Sequence, residues 1–285
     1  MDINGKTVLL TGANGGIGSA LAKQLASAGA TLVLVGRDES ALVRLRSTLS
    51  AQQRHHALAY DLQASDGVER LLGFCSTLPS GIDILINNAG MSDFAFVAES
   101  DPDVERAVIG LNLYVPIALT TAMLPGLLLR PEALVINIGS VFGSIGYPGF
   151  AVYGASKAGL RVFSEALRRE LADTAVRVLY VAPRATQTPM NSSRVVAMNQ
   201  ALGNTMDPPE KVATAILNRI QTGRWRALTI GWPERLFVVI NNLLPGITDS
   251  SLRGQLTRIR QYSRVPASAA GKHQSDSNFD KRKIS

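Results

Sequence analysis

Short apolar runs alternate with helix-like segments along most of this 285-residue chain. Seven runs are rich in Val, Leu and Ile, and they lie at residues 7–10, 31–35, 56–60, 82–87, 133–138, 176–182 and 227–230. The helix-like segments lie at residues 16–28, 38–50, 64–76, 104–124, 151–172 and 209–221. Strands that are apolar throughout and are followed by helical crossovers predict an α/β fold with a parallel sheet covered by helices on both faces. Such a sheet binds ligands at the carboxyl ends of its strands.

The organisation of the chain predicts one domain with a C-terminal extension. No linker rich in Gly, Pro or Ser divides residues 1–250, and an apolar content of 46% is ample for one large core. From about residue 232 we expect an apolar helical extension, whose apolar run at 236–247 is shorter than the ~20 residues of a membrane-spanning helix. Two interpretations stay open: the extension closes a substrate pocket, or residues 234–260 lie on a membrane surface or against another subunit.

The net charge of +7 comes almost entirely from the C-terminal end. Residues 251–285 contain eight Lys or Arg against two Asp, so we expect a basic tail with a disordered last part and no nucleic-acid binding. The lone Cys75 excludes an internal disulfide framework, and no His or Cys pair has metal-ligand spacing, so we expect no metal. Because no basic region followed by a cleavable apolar stretch opens the sequence, we expect a cytoplasmic protein, with the extension as its candidate membrane contact.

A glycine-rich stretch, "TGANGGIG" at residues 11–18, follows the first predicted strand. Gly12 permits a tight turn, and Gly16 lets the backbone approach a diphosphate. Gly18 lets the next helix pack close to the strand, with its N-terminus facing the phosphates. The stretch therefore predicts a dinucleotide site.

The end of the second predicted strand, "LVLVGRDES", discriminates between the two nicotinamide dinucleotides. An acid there would bind the ribose 2′-hydroxyl of NAD, but the position is Gly36, and Arg37 follows it. An arginine neutralises a 2′-phosphate, and we interpret Asp38 as the cap of the next helix. The sequence therefore favours NADP(H) over NAD(H).

Residues 140–160, "SVFGSIGYPGFAVYGASKAGL", contain candidates for proton transfer. Tyr153 and Lys157 lie one helical turn apart on the same face, and a nearby cation favours tyrosinate. Tyr147 has no such partner and precedes Pro148 in a loop. Ser140 ends the fifth predicted strand, where its hydroxyl can bind a substrate carbonyl oxygen.

These motifs, taken in order, resemble the short-chain dehydrogenase/reductase family. The resemblance covers residues 5–230 and depends on "TGANGGIG" (11–18), "DL" (61–62), "NNAG" (87–90), Asn112 in "LNLYVP", Ser140, "YGASK" (153–157) and "PRATQT" (183–188). It implies a Rossmann-type, doubly wound sheet of seven strands. It also implies an NAD(P)(H)-dependent oxidoreductase that acts on carbonyls or alcohols, commonly as a homodimer or homotetramer through the helices near 104–130 and 151–172.

The resemblance also implies roles for individual residues. Tyr153 acts as general acid or base, Lys157 lowers its pKa and binds the nicotinamide ribose, Ser140 holds the substrate oxygen, and Asn112 anchors a water that relays protons. The implied substrate wall includes Ser140 and also Phe142, Tyr147 and Phe150. The expected cofactor-binding residues are Gly12, Asn14, Gly16, Ile17, Gly18, Arg37, Asp61, Leu62, Asn88, Ala89, Gly90, Tyr153, Lys157, Pro183 and Thr188.

One residue departs from the pattern of the family. The family usually has glycine after the proline of its sixth strand, whereas Pro183 is followed here by Arg184. Either the backbone there is ordinary or nicotinamide binding is altered, and we hypothesise that Arg184 meets an acidic substrate group.

The mostly apolar wall favours a lipophilic carbonyl or secondary alcohol as substrate. The alternative function is a non-catalytic, NADP(H)-responsive binding protein.

Overall fold

A seven-stranded parallel sheet forms the centre of the computed structural model, which describes residues 1–263. Its strands are β1 (Thr7–Thr11), β2 (Thr31–Gly36), β3 (His56–Ala59), β4 (Ile84–Asn87), β5 (Ala133–Ile138), β6 (Val176–Pro183) and β7 (Leu228–Ile230). Their order is β3-β2-β1-β4-β5-β6-β7, and every neighbouring pair is parallel. The chain therefore winds to both sides of β1, which confirms the predicted doubly wound, Rossmann-type sheet and leaves a switch point between β1 and β4.

Helices cover both faces of this sheet. The helices within the described residues are α1 (Gly16–Ser27), α2 (Glu39–Ser47), α3 (Gly67–Ser76), α4 (Pro102–Ile109), α5 (Val115–Leu128), α6 (Ala151–Glu170), α7 (Ser193–Ala201), α8 (Pro209–Thr222), α9 (Glu234–Leu243) and α10 (Pro245–Ser263). The predicted helix-like segments correspond to α1, α2, α3, α4 with α5, α6 and α8. Helix α7 lies in a segment for which the sequence predicted no helix.

The strands are apolar throughout because both faces of the sheet are buried. Successive side chains of a strand point to opposite faces. Leu10 and Leu34 accordingly pack in the cluster beneath α1, α2 and α8, whereas Leu9 and Val33 pack in the cluster beneath α3, α5 and α6. All four side chains are fully buried. This two-sided burial places the ends of β1 and β2 rigidly at the edge where the ligand site lies.

The run from Pro102 to Leu128 is helical throughout and has a π-helical turn at Gly110–Tyr114 between α4 and α5. Its 27 residues, with a mean hydropathy of 1.8 over the most apolar window, are long and apolar enough to cross a membrane. In the fold, however, Leu119 and Leu127 are buried against the sheet in the same cluster as Leu9. Packing in the core therefore explains part of the apolarity of this run, while Tyr114 and Leu128 are exposed.

The C-terminal extension does not end where the sequence analysis placed its boundary. Helix α10 continues through residue 251, where we predicted the start of a basic tail, to Ser263. The physical reason is packing, since Ile259 of α10 is buried against Val195 and Met198 of α7. The last part of the predicted tail, residues 264–285, lies outside the described residues.

Candidate active site

A cleft of about 970 Å³ opens at the carboxyl ends of the strands. Its lining includes every residue predicted to bind cofactor or substrate, and among the predicted catalytic residues it omits one, Asn112. The cleft extends from the ends of β1 and β2, past β4 and β5, to α7, α9 and α10. The sheet topology thus brings together motifs that are far apart in the sequence.

The glycine loop between β1 and α1 has the shape of a phosphate cradle. Gly12 has a positive φ of 63°, and a Cβ atom there would lie 2.8 Å from the backbone of Ala89. A Cβ at Gly18 would lie 2.1 Å from the Gly12 carbonyl oxygen, so only glycine lets α1 start this close to β1. Gly15 caps α1 without a side-chain hydrogen bond, and the first turn carries no acid. The N–H groups of that turn are therefore available for a diphosphate, and the loop fits the predicted dinucleotide.

The adenosine end of the cleft has a basic side chain and no acid at the end of β2. A Cβ at Gly36 would lie 2.5 Å from the Asn14 side-chain oxygen, so this position has no room for a carboxylate while Asn14 stays in place. Arg37 lines the cleft, is exposed, and forms no ion pair within the described residues. Asp38 caps α2 as predicted, because its carboxylate accepts from the backbone N–H of Ala41 at 2.9 Å. That bond, together with one from Ser40, lowers the pKa of Asp38.

The "NNAG" motif connects β4 to the glycine loop. The Asn88 side-chain amide donates to the carbonyl oxygens of Thr11 and Gly12, each at 3.0 Å. The Thr11 hydroxyl accepts from the backbone N–H groups of Asn88 and Ala89, also at 3.0 Å. These bonds hold the glycine loop against the residues that follow β4. At the same strand-end edge, Asp61 lines the cleft and accepts from the backbone N–H of Gln63 at 3.0 Å, while Leu62 beside it is buried.

Lys157 extends from α6 into the middle of the cleft. Its Nζ donates to the carbonyl oxygen of Ile138, at the end of β5, over 3.0 Å. It lies 5.9 Å from the centre of the Tyr153 ring. The side chain is buried and has no carboxylate partner within residues 1–263, and burial lowers the pKa of Lys157 to about 8. An ammonium group with this pKa can release and take up a proton near neutral pH.

Tyr153 and Ser140 face each other across the same region. Burial raises the pKa of the Tyr153 phenol, and a hydrogen bond with the Ser140 hydroxyl opposes this shift. The direction differs from the lowered pKa that the resemblance implied for Tyr153, because desolvation outweighs every other effect in the protein alone. The Ser140 Oγ accepts from the Phe142 N–H at 3.1 Å, which holds the hydroxyl beside the phenol. The phenol is therefore protonated at neutral pH, the form that donates to a carbonyl.

Asn112 lies beneath the cleft and does not line it. It is fully buried in the π-helical turn, and its side-chain amide donates to the Met91 carbonyl oxygen at 2.8 Å and to the Ser156 hydroxyl at 3.1 Å. Its side-chain oxygen accepts from the Met91 N–H at 2.9 Å. Both amide N–H groups are therefore used by protein partners, and the side chain holds the loop after β4 instead of lining the cleft.

An aromatic cluster forms the substrate end of the cleft. The rings of Phe142 and Tyr147 stack with centres 4.8 Å apart, and Phe150 lies 5.1 Å from Phe142. Tyr153 contacts the same cluster edge-on, 6.5 Å from Phe142. The hydroxyl oxygen of Tyr147 is buried and has no close hydrogen-bond partner among the described residues. Burial raises the pKa of this phenol, and the Asn204 side chain opposes that shift. The predicted substrate residues are thus brought together beside the candidate proton donor.

Arg184 does not offer its charge to a substrate, contrary to our hypothesis. Its guanidinium forms a bidentate pair with Asp207, at 2.9 and 2.7 Å, and its third nitrogen contacts Glu234 at 3.2 Å. Its φ is not positive, so the backbone after Pro183 is ordinary and needs no glycine. The arginine therefore joins the loop after β6 to the first residue of α9.

Two further parts of the cleft wall lie outside the aromatic cluster. Helix α7 contributes Val195 and Met198, and helices α9 and α10 contribute a further apolar wall that includes Phe237 and Ile247. The signal for the extension was its apolar composition, which left pocket closure as one of two interpretations. Nothing in the sequence near Arg184 indicates its partners, because Asp207 lies 23 residues away and Glu234 lies 50 residues away.

Comparison with known proteins shows the family of the chain. The family model described as short chain dehydrogenase matches residues 6–199. The chain is 33% identical over 253 residues to dehydrogenase/reductase SDR family member 7B of Xenopus laevis, covering 84% of this chain and 78% of that protein. It is also 33% identical over 221 residues to ketoacyl reductase HetN of a Nostoc strain, covering 77% and 76%.

Solved structures share the fold. A short-chain dehydrogenase from Streptomyces avermitilis superimposes with a TM-score of 0.75 at 28% identity, covering 92% of this chain and 98% of that one. A short-chain dehydrogenase/reductase from Burkholderia phymatum, solved in complex with NAD, has a TM-score of 0.78 at 23% identity, covering 87% and 96%. The chain belongs to the short-chain dehydrogenase/reductase family, and it is an NAD(P)-type oxidoreductase by that membership.

Proposed function

We propose that the protein transfers a hydride between NADP(H) and a lipophilic carbonyl or secondary alcohol. The observation that carries the proposal is the common position of Tyr153, Lys157 and Ser140 in one cleft with the glycine loop. Nicotinamide dinucleotides bind at such a switch point in doubly wound sheets. NADPH, when bound, supplies the hydride, and the protein supplies position and a proton.

Ser140, Tyr153 and Lys157 each support the reduction of a carbonyl. The Ser140 hydroxyl and the Tyr153 phenol hold the carbonyl oxygen, and the phenol gives up its proton as negative charge develops there. Lys157, with a pKa of about 8, is mostly protonated at neutral pH and stabilises the tyrosinate that remains. General acid catalysis of this kind is worth about 10²–10⁴-fold. In oxidation the same groups act in reverse.

The preference for NADP(H) is supported by Gly36 and Arg37. The glycine leaves no acid to bind a 2′-hydroxyl, and the unpaired arginine offers a guanidinium to a 2′-phosphate. The solved relatives include one in complex with NAD and another, from Burkholderia cenocepacia, in complex with NADP, so the family accommodates both. The lipophilic substrate is supported by the aromatic cluster and by the apolar side chains of α7, α9 and α10.

We propose further that the protein assembles as a homodimer or homotetramer and that it lies in a reducing, cytoplasmic compartment. Large apolar side chains on the helices predicted for assembly are exposed, namely Tyr114 and Leu129 on one run and Val162 on α6. Cys75 is free and buried, which suits a reducing compartment.

A panel of ketones and aldehydes, assayed with NADPH and NADH side by side, tests the proposal. We expect oxidation of NADPH that is faster for medium- and long-chain carbonyls than for polar ones. Nucleotide binding without turnover of any carbonyl would instead support the alternative, a non-catalytic NADP(H)-responsive binding protein.

A further inference from the structure

We propose that α9 and α10 dock the protein on an anionic lipid surface, with the mouth of the cleft facing the bilayer. The benefit of this orientation for substrate uptake rests on the lipophilic substrate of the proposed function. The binding to lipid does not depend on that function. The proposal depends on three features of the extension: its exposed apolar face, its unpaired arginines and its position at the mouth of the cleft.

The extension carries an apolar face that no part of the described chain covers. Seven large apolar side chains between residues 232 and 247 are exposed, half of the 14 such side chains in the described chain. They are Trp232, Leu236, Phe237, Val239, Leu243, Leu244 and Ile247. Helix α9 has no buried residue at all. Single exposed apolar residues are common, whereas a contiguous group marks an interaction surface.

The charges around this face fit an anionic surface. Arg235, Arg253 and Arg258 are exposed and form no ion pair or hydrogen bond within the described residues. The acid at the start of α9, Glu234, is held by Arg184. By sequence, residues 264–285 add five basic and two acidic residues directly after α10. An apolar face with basic residues beside it is typical of helices that lie in the membrane interface.

The same helices form the mouth of the cleft. Phe237 and Ile247 line the cleft while they are 49% and 57% exposed, so they belong to both the outer face and the inner wall. Ile240 and Leu252 continue the apolar wall inward. An apolar chain that leaves a bilayer at this point therefore meets an apolar wall on its path towards the Phe142–Tyr147 cluster.

A second copy of the chain fits this face less well. In a two-fold contact the same basic patch lies on both sides of the interface, so the arginines of both subunits would be brought together. The patch offers few carboxylates to neutralise them, because Glu234 is already paired and Asp249 is the remaining acid of α9 and α10. An anionic lipid headgroup supplies the missing negative charge.

Vesicle co-sedimentation of the full chain, without cofactor or substrate, tests the docking. We expect binding to vesicles of phosphatidylcholine with phosphatidylglycerol, and about tenfold weaker binding to phosphatidylcholine alone. The double variant Leu243→Glu/Leu244→Glu should lose about tenfold in binding, and Arg253→Glu/Arg258→Glu should lose binding to the anionic vesicles selectively. Val43→Glu, which changes an exposed apolar residue on α2, serves as the matched control.

Orientation is tested by quenching of Trp232 fluorescence with brominated lipids in a Trp225→Phe background. Quenching that is lost in the Leu243→Glu/Leu244→Glu variant supports the proposal. Equal vesicle binding by this variant and by Val43→Glu, or no binding by the unchanged protein, overturns it. A dimer in light scattering that becomes monomeric in the Leu243→Glu/Leu244→Glu variant, without vesicle binding, would also overturn it in favour of a subunit contact. None of these results depends on turnover, so a failure of the reductase proposal is seen separately in the carbonyl panel.

Discussion

Replacing Arg184 with alanine tests how the extension is attached to the catalytic body. The guanidinium joins the loop after β6 to Asp207 and to Glu234 of α9. The side chain of Asp207 is 3% exposed and that of Arg184 is 12% exposed, so protein atoms cover most of the pair. We therefore expect Arg184→Ala both to destabilise the protein and to loosen the wall that α9 contributes to the cleft.

The magnitude follows from what the variant leaves behind. Removing one partner of a fully buried ion pair costs about 3–5 kcal/mol, because the other charge stays buried. Here Lys211 remains 2.8 Å from Asp207 and is itself half-exposed, so part of that cost is offset. We expect Arg184→Ala to lower the free energy of unfolding by about 2–3 kcal/mol, and Glu234→Gln to lower it by about 1 kcal/mol.

Urea unfolding at pH 7 measures these differences. Arg106→Ala is the control, because its pair with Asp103 is highly exposed and should be worth less than about 1 kcal/mol. Burial alone would raise the pKa of Asp207, but hydrogen bonds and charge from Arg184 and Lys211 outweigh it, so that pKa is lowered. A lowered carboxyl pKa stabilises the fold above the ordinary value of about 3.9 and loses that effect as pH falls through the folded pKa. The gap between the unchanged protein and Arg184→Ala should therefore narrow in acid. A loss no larger than that of Arg106→Ala would refute this reasoning.

Three further substitutions test single features of the cleft. Arg37→Ala should reduce kcat/KM for NADPH by about tenfold or more and leave that for NADH nearly unchanged, with Arg44→Ala on α2 as control; equal losses for both nucleotides would contradict the assignment. Tyr147→Phe should leave the free energy of unfolding unchanged or raise it slightly, since it removes a buried hydroxyl with no close hydrogen-bond partner within the described residues; a loss above about 1 kcal/mol would show that the Asn204 side chain binds this hydroxyl. Lys157→Met should change how the free energy of unfolding depends on pH. Because the pKa of Lys157 is lowered in the folded protein, the unfolded chain binds more protons than the folded one between pH 8 and 10.5. The free energy of unfolding of the unchanged protein should therefore rise over that range, and that of the variant should not. Parallel stability curves for the two proteins would contradict the burial of an unpaired lysine.

The sheet and the cofactor loop were predictable because their causes are local. Each strand is an apolar run since both faces of the sheet are buried. Gly12 has the positive φ of a tight turn, and a Cβ at Gly18 would meet the Gly12 carbonyl oxygen, six residues away. Asp38 caps α2 through the N–H of Ala41, three residues away. Patterns of this kind are visible in a single sequence.

The parts that sequence reasoning missed depend on contacts between distant residues. The part of α10 beyond residue 250 is ordered against Val195 and Met198 of α7, and Arg184 finds its carboxylates on two other elements. The place of Asn112 in a π-helical turn is set by Met91 and Ser156. The raised pKa of Tyr153 follows from its burial in the folded cleft, which no spacing of Tyr and Lys reveals.

The rate of NADPH oxidation by Tyr153→Phe, with the best carbonyl of the panel, tests the central claim most directly. The variant keeps the ring that packs against Phe142 and loses only the hydroxyl, so NADPH should still bind to the glycine loop and Arg37. We predict that kcat falls by about 10²–10⁴-fold, the usual worth of a general acid. An unchanged kcat, with NADPH still bound and oxidised, would show that the proton comes from elsewhere and would contradict the account.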